Sequence, residues 1–196
     1  MPAPNAPAGQ KMNTGSGMGK RTATAFARRA KDFYPTPLNG VLPLLNHLKI
    51  NSRFYEPCAG QGDLIDHLEK FGHVCTGASD IADPPDRDDV VTGLAVNQLL
   101  AVDADIFITN PPWSRPALHG IITHLMNLER QAWLLIDADW AHTKQAVTYL
   151  THCRKIVTVG RLKWIPGTPH TGKDNCCWYL FSPWGNEAIK FFGRSK

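Results

Sequence analysis

The chain has 196 residues, of which 43% are hydrophobic and 19% charged, with a formal net charge of +4. That length and apolar content suit one domain with a core of ordinary size. No apolar run approaches a membrane span, and the N-terminus lacks the apolar segment of a signal peptide, so a cytoplasmic protein is expected.

Residues 1–30 are rich in Ala, Pro, Gly, Ser and Thr and predict a disordered arm ahead of a single domain over 31–196. From Met1 to Lys31 the basic residues are Lys11, Lys20, Arg21, Arg28, Arg29 and Lys31, with no acidic one. Such an arm either contacts phosphates or only solubilises the chain. Apolar runs then alternate with amphipathic stretches, which predicts an α/β domain.

In chain order, the pattern predicts a helix over Pro37 to Leu48 and a strand over Asn51 to Glu56. A helix follows from Asp63 to Phe71, then a strand from His73 to Ser79. Asp83 to Asp89 reads as a charged, proline-containing loop. The apolar stretch Ile106 to Thr109 predicts a strand, Ala117 to Leu128 a helix, Gln131 to Asp137 a strand and His142 to Leu150 a helix. Arg154 to Gly160 and Cys176 to Ser182 close the series as strands. Cys58, Cys75, Cys153, Cys176 and Cys177 form no C-x-x-C pair, which speaks against a disulfide framework and a structural zinc site.

Functional residues of open α/β sheets gather at the carboxyl ends of the strands. Glu56-Pro57-Cys58-Ala59-Gly60-Gln61-Gly62-Asp63 lies at the first such end. Gly60 and Gly62 permit positive φ and close backbone approach to a ligand. Ile65 stands where a dinucleotide fingerprint needs its third glycine, and no Gly-Lys-Ser/Thr follows to make a P-loop. A loop that begins with an acid suits a cationic ligand better than a pyrophosphate. The amino group and sulfonium of S-adenosylmethionine meet that requirement. Asp80, at the next strand end, is placed to bind ribose hydroxyls, and Ile81 to pack on an adenine ring.

Asn110-Pro111-Pro112-Trp113 ends the apolar strand that begins at Ile106. Two consecutive prolines fix φ and donate no backbone hydrogen bond, so the turn is rigid with its carbonyls available. The Asn110 side-chain oxygen and the Pro111 carbonyl can face one pocket. Such a pair suits an aromatic amine, whose lone pair is delocalised into its ring. Two acceptors on its hydrogens favour the localised lone pair and stabilise the charge that develops on methylation. Trp113 offers a flat surface for an extruded base.

These segments resemble the S-adenosylmethionine-dependent methyltransferases that act on adenine N6 in DNA, in particular the small phage and prophage types. Asp32-Phe33-Tyr34-Pro35-Thr36-Pro37 looks like the family motif ahead of the first helix, Glu56 to Gly62 like the cofactor loop, and Asn110 to Trp113 like the catalytic motif. Their order is that of one circularly permuted class. Gly160 to Trp164, Lys173 to Asn175 and Trp178 to Phe181 resemble the family's terminal strand pair. The resemblance spans roughly residues 31–183.

It implies a Rossmann-like class I methyltransferase fold: a seven-stranded, mostly parallel sheet with the last strand antiparallel and helices on both faces. It assigns Asn110 and Pro111 to the target amine and Trp113 to stacking, with Pro112 in the same catalytic motif. It gives Phe33, Tyr34, Thr36, Glu56, Cys58, Gly60, Gly62, Asp80 and Ile81 to the cofactor. Cytosine N4, RNA and protein glutamine are alternative acceptors, and a non-catalytic nucleic-acid binder is the rival from another class. The sequence departs from the family at Val91-Thr92-Gly93-Leu94, where members often carry an acid; Asp88 and Asp89 lie earlier. Little sequence follows Phe181, so no separate recognition domain is expected.

Arg161, Lys163, Trp164, His170 and Lys173 cluster around the late loop and predict a surface for phosphates and a base. Trp164 folded back into the core is the alternative. Trp140 follows the strand end at Asp137 and is placed to line the pocket, while Asp137 and Asp139 have either a pocket or a structural role.

Overall fold

A computed structural model of the chain describes residues 34–81, 87–93, 102–168 and 171–194. The predicted arm, Phe33, most of the Asp83 to Asp89 loop, and His170 lie outside these residues. In chain order the elements are α1 (Leu38–Leu45), β1 (Arg53–Glu56), α2 (Asp63–Lys70), β2 (Val74–Asp80), β3 (Val90–Thr92), β4 (Ile106–Thr109), α3 (Arg115–Asn127) and β5 (Ala132–Asp137). Two 3₁₀ turns (Ala138–His142 and Lys144–Ala146), α4 (Val147–Leu150), β6 (Cys153–Arg161), β7 (Asn175–Phe181) and β8 (Lys190–Phe192) follow.

The strands form one sheet of eight in the order β3-β2-β1-β4-β5-β7-β6-β8. Strands β1 to β5 run parallel where they pair. Strand β7 is inserted antiparallel between β5 and β6. The antiparallel strand expected from the sequence is therefore β7. The sheet continues past β6 to β8, which pairs parallel to it and makes eight strands where seven were expected.

Alternation along the strands builds two cores. Phe54, Ile108, Trp133, Leu135 and Trp178 face α1 and α2, with Val41, Leu44, Leu64, Ile65 and Leu68 packed on them. Phe107, Leu134, Ile136, Trp140, Tyr179 and Phe181 face α3, which contributes Leu118, Ile121, Ile122 and Leu125. Each of the large side chains fully buried here contributes about 1.5–3 kcal/mol through the area it removes from water. Trp178 also ties α1 to the sheet, its Nε1 donating to the Gly40 carbonyl at 2.7 Å. Gly40 also lets Leu162 pack close on α1, since a Cβ there would sit 3.0 Å from Leu162 Cδ1.

The first half of the predicted helix over His142 to Leu150 is replaced by the 3₁₀ turns, and only Val147–Leu150 is α-helical. Thr143 is extended (φ −85°, ψ 147°), and both its backbone N–H and its hydroxyl donate to the Trp140 carbonyl. Those bonds close a local turn at the point where a helix would have to start. Among the described residues no helix is long and apolar enough to cross a membrane.

Candidate active site

The strand order reverses direction at β1 and β4, the place where open α/β sheets leave a crevice at their carboxyl ends. Glu56 ends β1 and Asn110 follows β4, so the two lie across this crevice from each other.

Between β1 and α2 the glycine loop turns sharply. Gly60 (φ 54°) and Gly62 (φ 81°) are both left-handed. The loop is pinned to β2: the Ala59 N–H donates to the Ser79 carbonyl at 2.9 Å, and the Gly60 N–H donates to Asp80 Oδ2 at 2.8 Å. Asp80 therefore shapes the loop as well as ending β2, and its neighbour Ile81 is 57% exposed, an apolar side chain left open at the crevice edge. Gly62 has a second constraint that the sequence did not reveal. The Arg87 guanidinium lies against its bare Cα, so a side chain there would collide with it. Arg87 is held in place by Asp66 at 2.9 Å and by both oxygens of Asp89 at 2.8 Å. Asp89 thus serves Arg87.

Glu56 is 1% exposed. Neither of its carboxylate oxygens, nor the buried Thr109 hydroxyl, has a hydrogen-bond partner of acceptable geometry among the described residues. Burial pushes the Glu56 carboxyl well above the ordinary carboxylate range, and the Asp80 charge adds to the shift. The nearby Thr109 hydroxyl and Asn110 backbone N–H oppose it. An ionised carboxylate left in this state is costly until a cation reaches it. The residues therefore fit a ligand with an ammonium group: an orphaned acid beside a glycine cradle. Burial, and then the Glu56 charge, raise the Cys58 thiol, so Cys58 is a neutral lining group.

At the other wall, Asn110 is oriented by the segment ahead of α1. Its Nδ2 donates to the Thr36 hydroxyl at 3.2 Å and to the Tyr34 carbonyl at 3.5 Å. The amide nitrogen is thereby engaged, and Asn110 Oδ1 accepts no hydrogen bond among the described residues. Thr36 is 5% exposed, so this bond is shielded from water. Pro111 is buried and Pro112 half-buried. The motif runs directly into α3, with Ser114 as its N-cap and Pro116 in the first turn, where a missing N–H costs nothing.

Trp113 is fixed to β5 by its Nε1, which donates to the Leu135 carbonyl at 3.0 Å. Trp164, from the β6–β7 connection, meets Trp113 edge to face with ring centroids 5.6 Å apart. It meets Tyr34 at 6.2 Å. Trp164 is half-buried against the core, and its ring also meets Trp113 and Tyr34 beside Asn110. Gly172 leaves room for it, since a Cβ there would lie 3.0 Å from the indole. Arg161 at the end of β6 and Lys163 and Lys173 on the same connection are exposed.

Trp140 does not line the crevice. It is fully buried in the α3-facing core, its Nε1 donates to His119 Nε2 at 3.1 Å, and its ring meets Tyr179 edge to face. Asp137 has the structural role: its Oδ1 accepts the Asp139 N–H at 2.9 Å, and Arg115 lies 3.8 Å away.

The sequence matches no protein-family model and no curated protein sequence. Solved structures, however, share its architecture. A Listeria monocytogenes protein assigned as a class I S-adenosylmethionine-dependent methyltransferase aligns with a TM-score of 0.57 at 15% identity, over 82% of this chain and 66% of that one. A Lactococcus lactis protein assigned as a hemolysin aligns with a TM-score of 0.54 at 13% identity, over 80% of this chain and 91% of that one. The methyltransferase subunit of a type I restriction-modification system from Streptococcus thermophilus aligns with a TM-score of 0.51 at 10% identity, over 82% of this chain and 47% of that one. This chain thus spans about half the length of the Streptococcus subunit and just under two thirds of the Listeria protein. The fold is the Rossmann-like fold of class I methyltransferases.

Proposed function

We propose that the chain binds S-adenosylmethionine and methylates an exocyclic amino group, with adenine N6 in DNA as the target. The observation that carries this reading is Asn110. Its amide nitrogen is tied to Thr36 and Tyr34, which leaves Oδ1 as an oriented acceptor on a rigid Pro-Pro turn.

When bound, S-adenosylmethionine supplies an electrophilic methyl group carried on a sulfonium. Glu56 takes the ammonium of its amino-acid portion, which relieves the uncompensated carboxylate. Gly60 and the loop pinned by Asp80 allow close approach of the backbone, and Gly62 shapes that loop. Asp80 and Ile81 serve the nucleoside, the first through ribose hydroxyls and the second through the ring face. Tyr34 and Thr36 border both ligands, with Phe33 in the same motif.

Asn110 Oδ1 and the Pro111 carbonyl accept the two hydrogens of the target amine. This localises the nitrogen lone pair and stabilises the positive charge that grows on it, while Pro112 keeps the turn rigid. Holding the amine in line with the methyl group supplies much of the remaining acceleration. Forming the nitrogen–carbon bond breaks the sulfur–methyl bond, with its electron pair left on a neutral thioether, and the extra proton of the amine leaves to solvent. Trp113 and Trp164 stack on or border the extruded base, and Arg161, Lys163 and Lys173 face the phosphates.

The test is incubation with methyl-labelled S-adenosylmethionine and unmodified DNA, RNA or protein, followed by digestion and identification of the labelled product. Label on adenine N6 from DNA is expected. Label on cytosine N4, RNA or glutamine would move the substrate assignment, and cofactor binding with no transfer to any acceptor would overturn the enzymatic reading.

A further inference from the structure

Strand β8 is an addition whose consequence lies at the active-site edge. It runs parallel to β6, with Lys190 beside Lys155, Phe191 beside Ile156 and Phe192 beside Val157. Both strands therefore point their carboxyl ends to the edge that carries Glu56, Asp80 and Asn110. Beyond β8 the chain brings the Arg194 side chain over Gly160, where Nη1 is 3.2 Å from the position a Cβ would take. Gly160 is left-handed (φ 93°), and the β6–β7 register shifts between Thr158 and Gly160. This bulge leaves an open seat on β6 that the guanidinium fills.

Of the five described arginines outside this region, four face a carboxylate, whereas Arg130 and the lysines Lys49, Lys70, Lys144, Lys155 and Lys190 do not among the described residues. Arg53 faces Asp103, Arg87 faces Asp66 and Asp89, Arg115 faces Asp137, and Arg154 faces Glu187. Arg161, Lys163 and Arg194 are exposed and face no carboxylate among the described residues. Three cations without such a partner thus lie on one edge, next to the hairpin whose Trp164 touches Trp113. Trp164 lies four positions beyond Gly160, which is at most about 14 Å of extended chain. At 3.4 Å per base that reach covers no more than about four nucleotides.

We propose that β8 positions Arg194 to hold a backbone phosphate of the nucleic-acid substrate, extending the Arg161 and Lys163 surface away from the target base. The proposal rests on the nucleic-acid reading of the site above. It gives the added strand a purpose: it brings a phosphate contact to a domain whose base wall is built from Tyr34, Trp113 and Trp164.

The experiment compares wild type, R194Q, R194K and K49Q in binding to a short DNA duplex and to a single-stranded RNA over a range of salt. Lys49 is exposed and precedes β1, so it lies at the opposite edge of the sheet and controls for the loss of one charge. R194Q is expected to weaken binding several-fold near about 0.1 M salt and to make the log–log salt slope shallower by about one. K49Q should leave both unchanged, and R194K should recover most of the loss. The polymer whose slope changes is the one Arg194 contacts. If R194Q binds like wild type, or loses no more than K49Q, the Arg194 contact is refuted. Methyl transfer measured on the same samples then judges the function separately. Wild-type transfer with an unaffected R194Q overturns only this contact, whereas wild type that neither binds nor methylates either polymer overturns both.

Discussion

Replacing Glu56 by Gln removes one ionisable group from the centre of the cofactor cradle while keeping its shape. In the folded chain the carboxyl is fully buried, with no hydrogen-bond partner of acceptable geometry among the described residues, and titrates well above its ordinary value of 4.5. Between 4.5 and that raised value the folded state holds a proton that the unfolded state has lost. Unfolding then releases the proton, so the Glu56 contribution to stability is full below 4.5 and is lost as pH rises through the folded value. The slope reaches at most about 1.4 kcal/mol per pH unit. For a domain of this size, that lowers the wild-type Tm relative to E56Q by about 3–5 °C per pH unit in the window. Ligand binding carries the opposite sign. An ammonium pairs with the ionised acid, so S-adenosylmethionine binding to wild type tightens as pH rises, while E56Q binds weakly and with little pH dependence. Thermal denaturation from about pH 5 to about pH 8, with and without S-adenosylmethionine, reads both effects. A Tm difference between the two proteins that stays constant with pH would refute the buried-acid argument. Equal cofactor affinity in E56Q would refute the role given to the acid.

Two further substitutions separate positioning from binding and core from pocket. T36V removes the hydroxyl that orients Asn110, a bond of about 1 kcal/mol, and should lower kcat roughly 5- to 10-fold with T36S near wild type; a matching loss of S-adenosylmethionine affinity, with kcat unchanged, would make Thr36 a cofactor contact instead. W140A empties a buried site and should cost about 3–5 kcal/mol, seen as a Tm lower by about 10 °C, with kcat of the folded fraction retained. Loss of activity at an unchanged Tm would return Trp140 to the pocket.

The elements that the sequence revealed are those with strong patterns. Ile106–Thr109 is an apolar run bounded by Asp105 and Asn110, and its limits coincide with β4. Helix α2 begins at the predicted Asp63 because Gly62 ends the loop in the left-handed conformation. Strands β3 and β8 have three residues each, too few for alternation to register, and β8 leaves Phe191 68% exposed. The α1 helix stops at Leu45, short of the predicted Leu48 and two residues beyond Pro43. Within the site, Glu56, Asp80, Asn110 and Trp113 were legible from their positions at strand ends. The bond from Asn110 to Thr36 joins residues 74 positions apart, so no local pattern could reveal it. The seat of Arg87 on Gly62 likewise depends on how two loops meet. Trp140 misled because a tryptophan after a strand end reads alike whether it turns into the crevice or into the core.

The central claim is that Asn110 Oδ1 is the acceptor that activates a planar amine. Its most direct measurement is methyl transfer by N110A on unmodified DNA, with S-adenosylmethionine affinity and Tm determined on the same protein. The account predicts that adenine N6 labelling falls by at least about 100-fold, as for removal of one preorganised polar contact to developing charge, while cofactor affinity and Tm stay close to wild type. Labelling that persists at the wild-type rate in N110A would contradict it.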